Sequence, residues 1–181
     1  MKKLNKIVLS AIILTAILFT FSCDPFDDIY LTTSLELEFN TSGSSSQILV
    51  PAIVCLDSLE DYRENKDNLE EILYLSSAYI TLNATTGLQG DNLKLTVYKE
   101  DLSTVLFQYT QLHFTANDYK AKPLELVLTE QEKNDINNYL KNPKVSKCFY
   151  ATFELSNVSS ASQYYTLSSK MEFLTQLKIK P

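Results

Sequence analysis

Tryptophan is absent from this chain of 181 residues, histidine occurs once, methionine twice, and glycine and cysteine three times each. Each scarcity closes a route. One histidine and three cysteines leave little material for a metal site, and none is predicted. His113, in Gln111-Leu112-His113-Phe114, has no Gly-x-Ser-x-Gly elbow or comparable nucleophile to serve as a base, so it reads as a strand or loop histidine. Gly87 and Gly90 form the only close glycine pair, without the Lys-Ser/Thr of a phosphate loop; Thr85 to Asn92 therefore reads as a turn. The missing tryptophan removes the ring that sugar platforms favour. Basic residues number 16 against 22 acids, with no Lys/Arg cluster in the body of the chain, which excludes nucleic acid as a partner. Nothing in the sequence calls for a cofactor.

What remains is a globular composition. Apolar residues make up 45% and charged residues 21%, too apolar for a disordered chain and the right length for one domain.

The first segment differs from the rest. Lys2, Lys3 and Lys6 precede Ile7 to Phe21, fifteen residues without a charge, followed by Ser22, Cys23 and Asp24-Pro25-Phe26-Asp27-Asp28. A basic start and a short apolar run ending beside a small residue describe a secretory signal. Fifteen helical residues reach about 22 Å, short of the ~30 Å hydrocarbon core, which counts against a signal-anchor helix. Leu18-Phe19-Thr20-Phe21-Ser22-Cys23 resembles the lipobox of bacterial lipoproteins, with Thr20 and Phe21 departing from its commonest residues. That resemblance implies cleavage before Cys23, a diacylglycerol on its thiol and an acylated amino terminus. Several acyl chains on one cysteine make release negligible, since each buried methylene contributes about 0.8 kcal/mol. The domain boundaries expected are a signal peptide at 1–22, a lipidated acidic tether at 23–29 and one folded domain at 30–181. Cleavage would remove three basic residues, leaving 13 against 22 acids and a net charge of −9.

The body reads as strands. Leu31, Thr33, Leu35, Leu37 and Phe39 alternate with Thr32, Ser34, Glu36 and Glu38, the period of a half-buried strand. Ile48 to Leu56 is almost continuously apolar and reads as a central strand, with Pro51 marking a bulge or an edge. Ser58 to Glu70 suggests a weak exposed helix capped by Ser58, its acids forming a solvated face rather than a calcium loop. Ile72–Ala84, the hairpin Leu93–Tyr98 with Ser103–Gln111, Leu124–Leu128, Val145–Leu155 and Tyr164–Ile179 complete the strands. Thr129-Glu130-Gln131-Glu132 is a capping box that opens a second helix. The expected fold is all-β: an antiparallel β-sandwich of about seven to nine strands with one or two short helices, a small barrel being its nearest rival.

Once Cys23 carries lipid, Cys55 and Cys148 remain as the candidate disulfide pair in an oxidising compartment. Patterning sets Cys148 on the face opposite Phe149, Phe153 and Leu155, which argues against a bridge through the core. The eleven tyrosines are scattered and read as structural. With no catalytic set, the sequence points to a non-enzymatic cell-envelope lipoprotein, lipid-anchored at the outer membrane. Its β-sandwich would bind an envelope protein or an extracellular ligand. A small apolar-ligand carrier with a barrel-like pocket and an envelope glycan-active hydrolase with an acid pair are the alternatives.

Overall fold

The computed structural model describes residues 28–180. Eight strands make two four-stranded sheets. In chain order they are β1 (Ile29–Gly43), β2 (Ile48–Cys55), β3 (Leu69–Ala84), β4 (Gln89–Tyr98), β5 (Val105–Thr115), β6 (Leu124–Glu125), β7 (Cys148–Ser159) and β8 (Tyr165–Ile179). The helices are α1 (Glu60–Asn65), α2 (Asp118–Ala121) and α3 (Glu130–Leu140). The sheet orders are β1-β8-β3-β6 and β2-β7-β4-β5, and every paired neighbour is antiparallel. Apart from the β4–β5 hairpin, each connection crosses from one sheet to the other. This all-β sandwich therefore has the connectivity of a jelly roll. None of the described helices is long and apolar enough to cross a membrane.

Alternation in the sequence becomes alternation across the sheets. Leu35, Leu37 and Phe39 of β1 are fully buried, while Glu36 and Glu38 between them face out. β8 is central and turns Leu167, Met171, Phe173, Leu177 and Ile179 inward. Two buried hydroxyls on its inner face are satisfied by the neighbouring strand: Ser169 Oγ donates to Phe39 O at 3.4 Å and Thr175 Oγ1 to Thr33 O at 3.3 Å. Aromatic rings fill the space between the sheets. Phe153 packs against Phe39, Tyr79 and Phe114 with centroids 5.8 Å from each. Phe173 does the same for Phe107 at 5.6 Å and Phe149 at 5.7 Å. Burial pushes the Tyr79 hydroxyl up to about 12, so that group stays neutral.

Several local expectations change. β2 is an edge strand, not a central one. Its apolar run is split between an inner face with Ile48 and an outer face where Leu49 and Ile53 are exposed. Pro51 lies on this edge strand in unbroken register with β7, so it marks an edge and no bulge. Gly90, Asp91 and Asn92 belong to β4; the turn is confined to the residues before Gln89, where Gly87 takes φ 69°. Only Leu124–Glu125 of the predicted Leu124–Leu128 strand is paired. The weak helix has Leu59, not Ser58, at its N-cap, so it lacks a side-chain cap, and Ser58 Oγ instead donates back to Cys55 O at 2.6 Å. In α3, Glu132 N donates to Thr129 Oγ1 at 3.2 Å and Thr129 N to Glu132 Oε2 at 2.8 Å, forming the capping box.

Candidate functional site

The jelly roll has two unlike poles. β1 starts at Ile29 opposite Ile179 of β8, and Leu69 of β3 meets the same residue. Lys178 there bonds both Asp28 at 2.9 Å and Glu70 at 2.9 Å. At the far pole, Gly43, Ala84 and Tyr165 end their strands in one sheet, and short loops lead to Ile48, Gln89 and Ser159 in the other. No Asp, Glu, Lys or Arg occurs within residues 39–56, 72–90, 102–117 or 155–169. Three of the far-pole loops, those after Gly43, Ala84 and Ser159, come from these stretches and present hydroxyls, amides, glycine and tyrosine, whereas the connection that leaves β5 at Thr115 carries Asp118, Lys120 and Lys122. The three are joined to one another: Thr85 N donates to Thr166 O at 3.0 Å, Ala161 N to Thr86 O at 3.0 Å and Val158 N to Ser46 O at 2.9 Å. These bonds hold the pole in one arrangement.

A polar cleft of about 400 Å³ opens beside it, lined by Gln89, Asp91, His113, Thr115, Asn157 and Ser159. Three adjacent strands, β5, β4 and β7, supply these side chains. The local backbone is irregular here. Asn92 has φ 53° and Asn157 φ 50°, the left-handed region that asparagine tolerates better than most residues. The β4–β7 register shifts between Asp91 and Lys94. Gly90 permits the close approach of these strands, since a Cβ there would lie 2.7 Å from Leu155 Cγ and 2.8 Å from Ser156 O.

Asp91 is the centre of the cleft. Asn157 Nδ2 donates to its Oδ2 at 3.1 Å, and His113 Nδ1 lies 2.9 Å from its Oδ1. Ser156 Oγ donates to the Asp91 carbonyl at 2.9 Å, and Asn92 Nδ2 donates to Ser156 Oγ at 3.2 Å. Hydrogen bonds from Asn157 and His113 hold the Asp91 carboxyl below its ordinary range. As the carboxylate accepts, Nδ1 carries the proton and Nε2 is left facing outward on a ring that is 88% exposed. No hydroxyl or thiol is hydrogen-bonded to that ring among the described residues. The arrangement is thus a fixed set of donors and acceptors that lacks an activated nucleophile.

A second cleft of about 560 Å³ at the starting pole is lined by Asp67, Glu70, Lys144 and Lys180 together with Asn68 and Asn142. Two carboxylates against two ammonium groups give it no preference for either sign. Among the described residues, no group of three or more His, Cys, Asp or Glu is placed to hold a metal ion.

Cys23 lies outside the described residues, as do the signal segment and most of the tether. Cys55 and Cys148 are joined by a disulfide with an S–S distance of 2.02 Å. They are directly paired across β2 and β7, Cα atoms 4.0 Å apart, the close spacing of a non-hydrogen-bonded antiparallel pair. Both point away from the core, so the outward face of Cys148 is where its partner also stands. Four of the eleven tyrosines are buried structural residues: Tyr62, Tyr74, Tyr79 and Tyr165. Sequence reasoning missed Asp91 and Asn157, because Gly-Asp-Asn resembles a turn and their partners are distant in the chain. The charge-free stretches were the available signal.

No family model matches this chain, and no curated protein matches it significantly. A solved structure of Desmodium yellow mottle tymovirus is similar at 8% identity, covering 88% of this chain and 93% of that one, with a TM-score of 0.32. One of infectious bursal disease virus, Gx strain, is similar at 11% identity, covering 87% of this chain and 37% of that one, with a TM-score of 0.30. Superpositions this loose carry no inference about this protein.

Proposed function

We propose that this protein is a membrane-anchored, non-catalytic lipoprotein of a bacterial cell envelope, held at the outer membrane by lipid on Cys23. In this reading the β-sandwich presents its far pole to an envelope protein or an extracellular ligand. The observation that carries it is the polarity of the fold. The chain enters at Asp28 and Ile29 on one pole, whereas three charge-free, hydroxyl- and amide-rich loops stand side by side at the other. Five residues separate Cys23 from β1 and span at most about 17 Å, so a lipid on Cys23 keeps the starting pole against the membrane. The fifteen residues of β1 rise about 3.3 Å each, which sets the far pole some 45–50 Å further out. The tight aromatic core supports a solid module over a hollow carrier.

Mass spectrometry of the N-terminal peptide, released from membranes of a native-like host, tests the anchor. The expected result is a peptide that starts at Cys23 with added acyl mass. An unmodified start, or a retained Met1, overturns the reading.

A further inference from the structure

We propose that the Asp91–His113–Asn157 cleft binds a neutral saccharide through hydrogen bonds to its hydroxyl groups alone, without the stacking platform whose favoured ring, tryptophan, the sequence lacks. The inference rests on the reading of the far pole as the ligand-facing end and names the chemistry of that ligand.

Charge sets the first limit. Asp91 is the only acidic side chain lining the cleft, and no Lys or Arg lines it. A phosphate, sulfate or carboxylate would meet a carboxylate with no cation to offset it. A cation would find a single carboxylate, with no second acid beside it to complete a coordination shell. An uncharged ligand avoids both problems.

Polarity sets the second. Phe114, the one large apolar residue in the lining, is only 1% exposed and packs in the core. The cleft therefore offers no apolar anchor of the kind that dominates protein–protein contacts and no apolar wall for a lipid-like molecule. Its lining is instead a mixture of acceptors and donors. Asp91 accepts; the amides of Gln89 and Asn157 do both; the hydroxyls of Thr115 and Ser159 do both; His113 Nε2 remains open. A vicinal diol needs that combination, since each hydroxyl donates once and accepts once.

Preorganisation completes the argument. Asp91 is fixed by two side-chain bonds before any ligand arrives, and Gln89 Nε2 already lies 3.4 Å from Ser159 Oγ. Groups held in place beforehand lose less freedom on binding. The cleft volume of about 400 Å³ lies within the ordinary range for small-ligand sites.

The test is an NMR titration of the protein, as purified from host membranes in detergent, with neutral hexose and N-acetylhexosamine oligosaccharides. A matched set of uronic-acid oligosaccharides runs alongside. Saturable shifts are expected at the His113 imidazole and at the Gln89 and Asn157 side-chain amides, with neutral sugars only. Asp91→Asn should weaken binding about tenfold or more, as loss of a hydrogen bond to a charged group does. His113→Ala, at an exposed position, should weaken it without unfolding the domain. The proposal is overturned if no neutral sugar gives saturable shifts, if both variants bind as the parent does, or if uronic acids bind equally well. Protection of the cleft by a protein partner in the absence of sugar also overturns it. The anchor is read separately from the Cys23 peptide mass, so loss of one conclusion is distinguishable from loss of the other.

Discussion

Gly90 shows how much one side chain can cost in this fold. An added Cβ would meet Leu155 Cγ at 2.7 Å and the Ser156 carbonyl at 2.8 Å. Leu155 has rotamers to yield with, whereas the carbonyl belongs to the paired backbone of β7. Gly90→Ala should therefore destabilise the domain by about 1–3 kcal/mol, and adding Leu155→Ala should not restore it. Urea titration of the single and double variants checks both statements. Asp101 acts through hydrogen bonds. Its carboxylate accepts from Thr104 N at 2.8 Å and Ser103 N at 2.9 Å and also bonds the Thr104 hydroxyl. Those bonds, the Thr104 hydroxyl first, lower its pKa from 3.8 to about 2. A depressed carboxylate contributes stability that is fully present above its unfolded pKa and is lost as pH falls through the folded one. Asp101→Asn should thus remove part of the acid sensitivity between about pH 4 and pH 2, seen as a flatter dependence of the denaturation midpoint on pH.

Elements owe their placement here to partners more than to propensity. α3 has a complete capping box, yet it stays in place because Ile136 and Leu140 are buried and Asn137 Oδ1 accepts from Tyr74 N at 2.9 Å. Thr129→Ala should cost about 1 kcal/mol, a modest fall in thermal midpoint with the β-sheet circular dichroism unchanged. Phe153→Ala is a different case. Its ring is fully buried and touches Phe39, Tyr79 and Phe114, so truncation should cost about 3–5 kcal/mol. A measured loss below 1 kcal/mol would contradict the packing described above. β3 shows the same dependence on partners. It shifts register against β8 at three places, each adding a residue to β3, and so bends as it crosses the sandwich.

The whole molecule is tied together by pairs that lie far apart in sequence. The Cys55–Cys148 bridge spans 93 residues, and the chain-entropy model assigns a loop near that length roughly 4–5 kcal/mol. Reduction should lower the stability of the domain by several kcal/mol without dispersing its core, because both sulfurs lie on the outer face of the sheet. Denaturant titration with and without a reducing agent measures it, and a Cys55→Ala/Cys148→Ala pair should match the reduced protein. Intact mass after thiol labelling should find neither Cys55 nor Cys148 modified in the unreduced protein.

Local periodicity and chemistry were legible in the sequence because they depend on near neighbours. The alternation at Leu31–Phe39 and Met171–Ile179 defined which side chains face inward, and Thr129 with Glu132 defined a helix start. Together these determined an all-β sandwich with short helices. What failed were judgements that depend on who stands alongside. The apolar run of β2 has the composition of a central strand, and only its single neighbour, β7, makes it an edge. Gly90-Asp91-Asn92 has turn-forming residues, and only the register with β5 and β7 keeps it in a sheet. The candidate site is the extreme case. Asp91 meets His113 across 22 residues and Asn157 across 66, so no local pattern records the meeting. Likewise, composition determined that four long stretches carry no Asp, Glu, Lys or Arg, but the crossing connections decided that the loops of three of them share one pole, while Leu102–Thr104 turns at the other. Register and topology are settled by the packing of distant segments, a free energy that no short window of sequence contains.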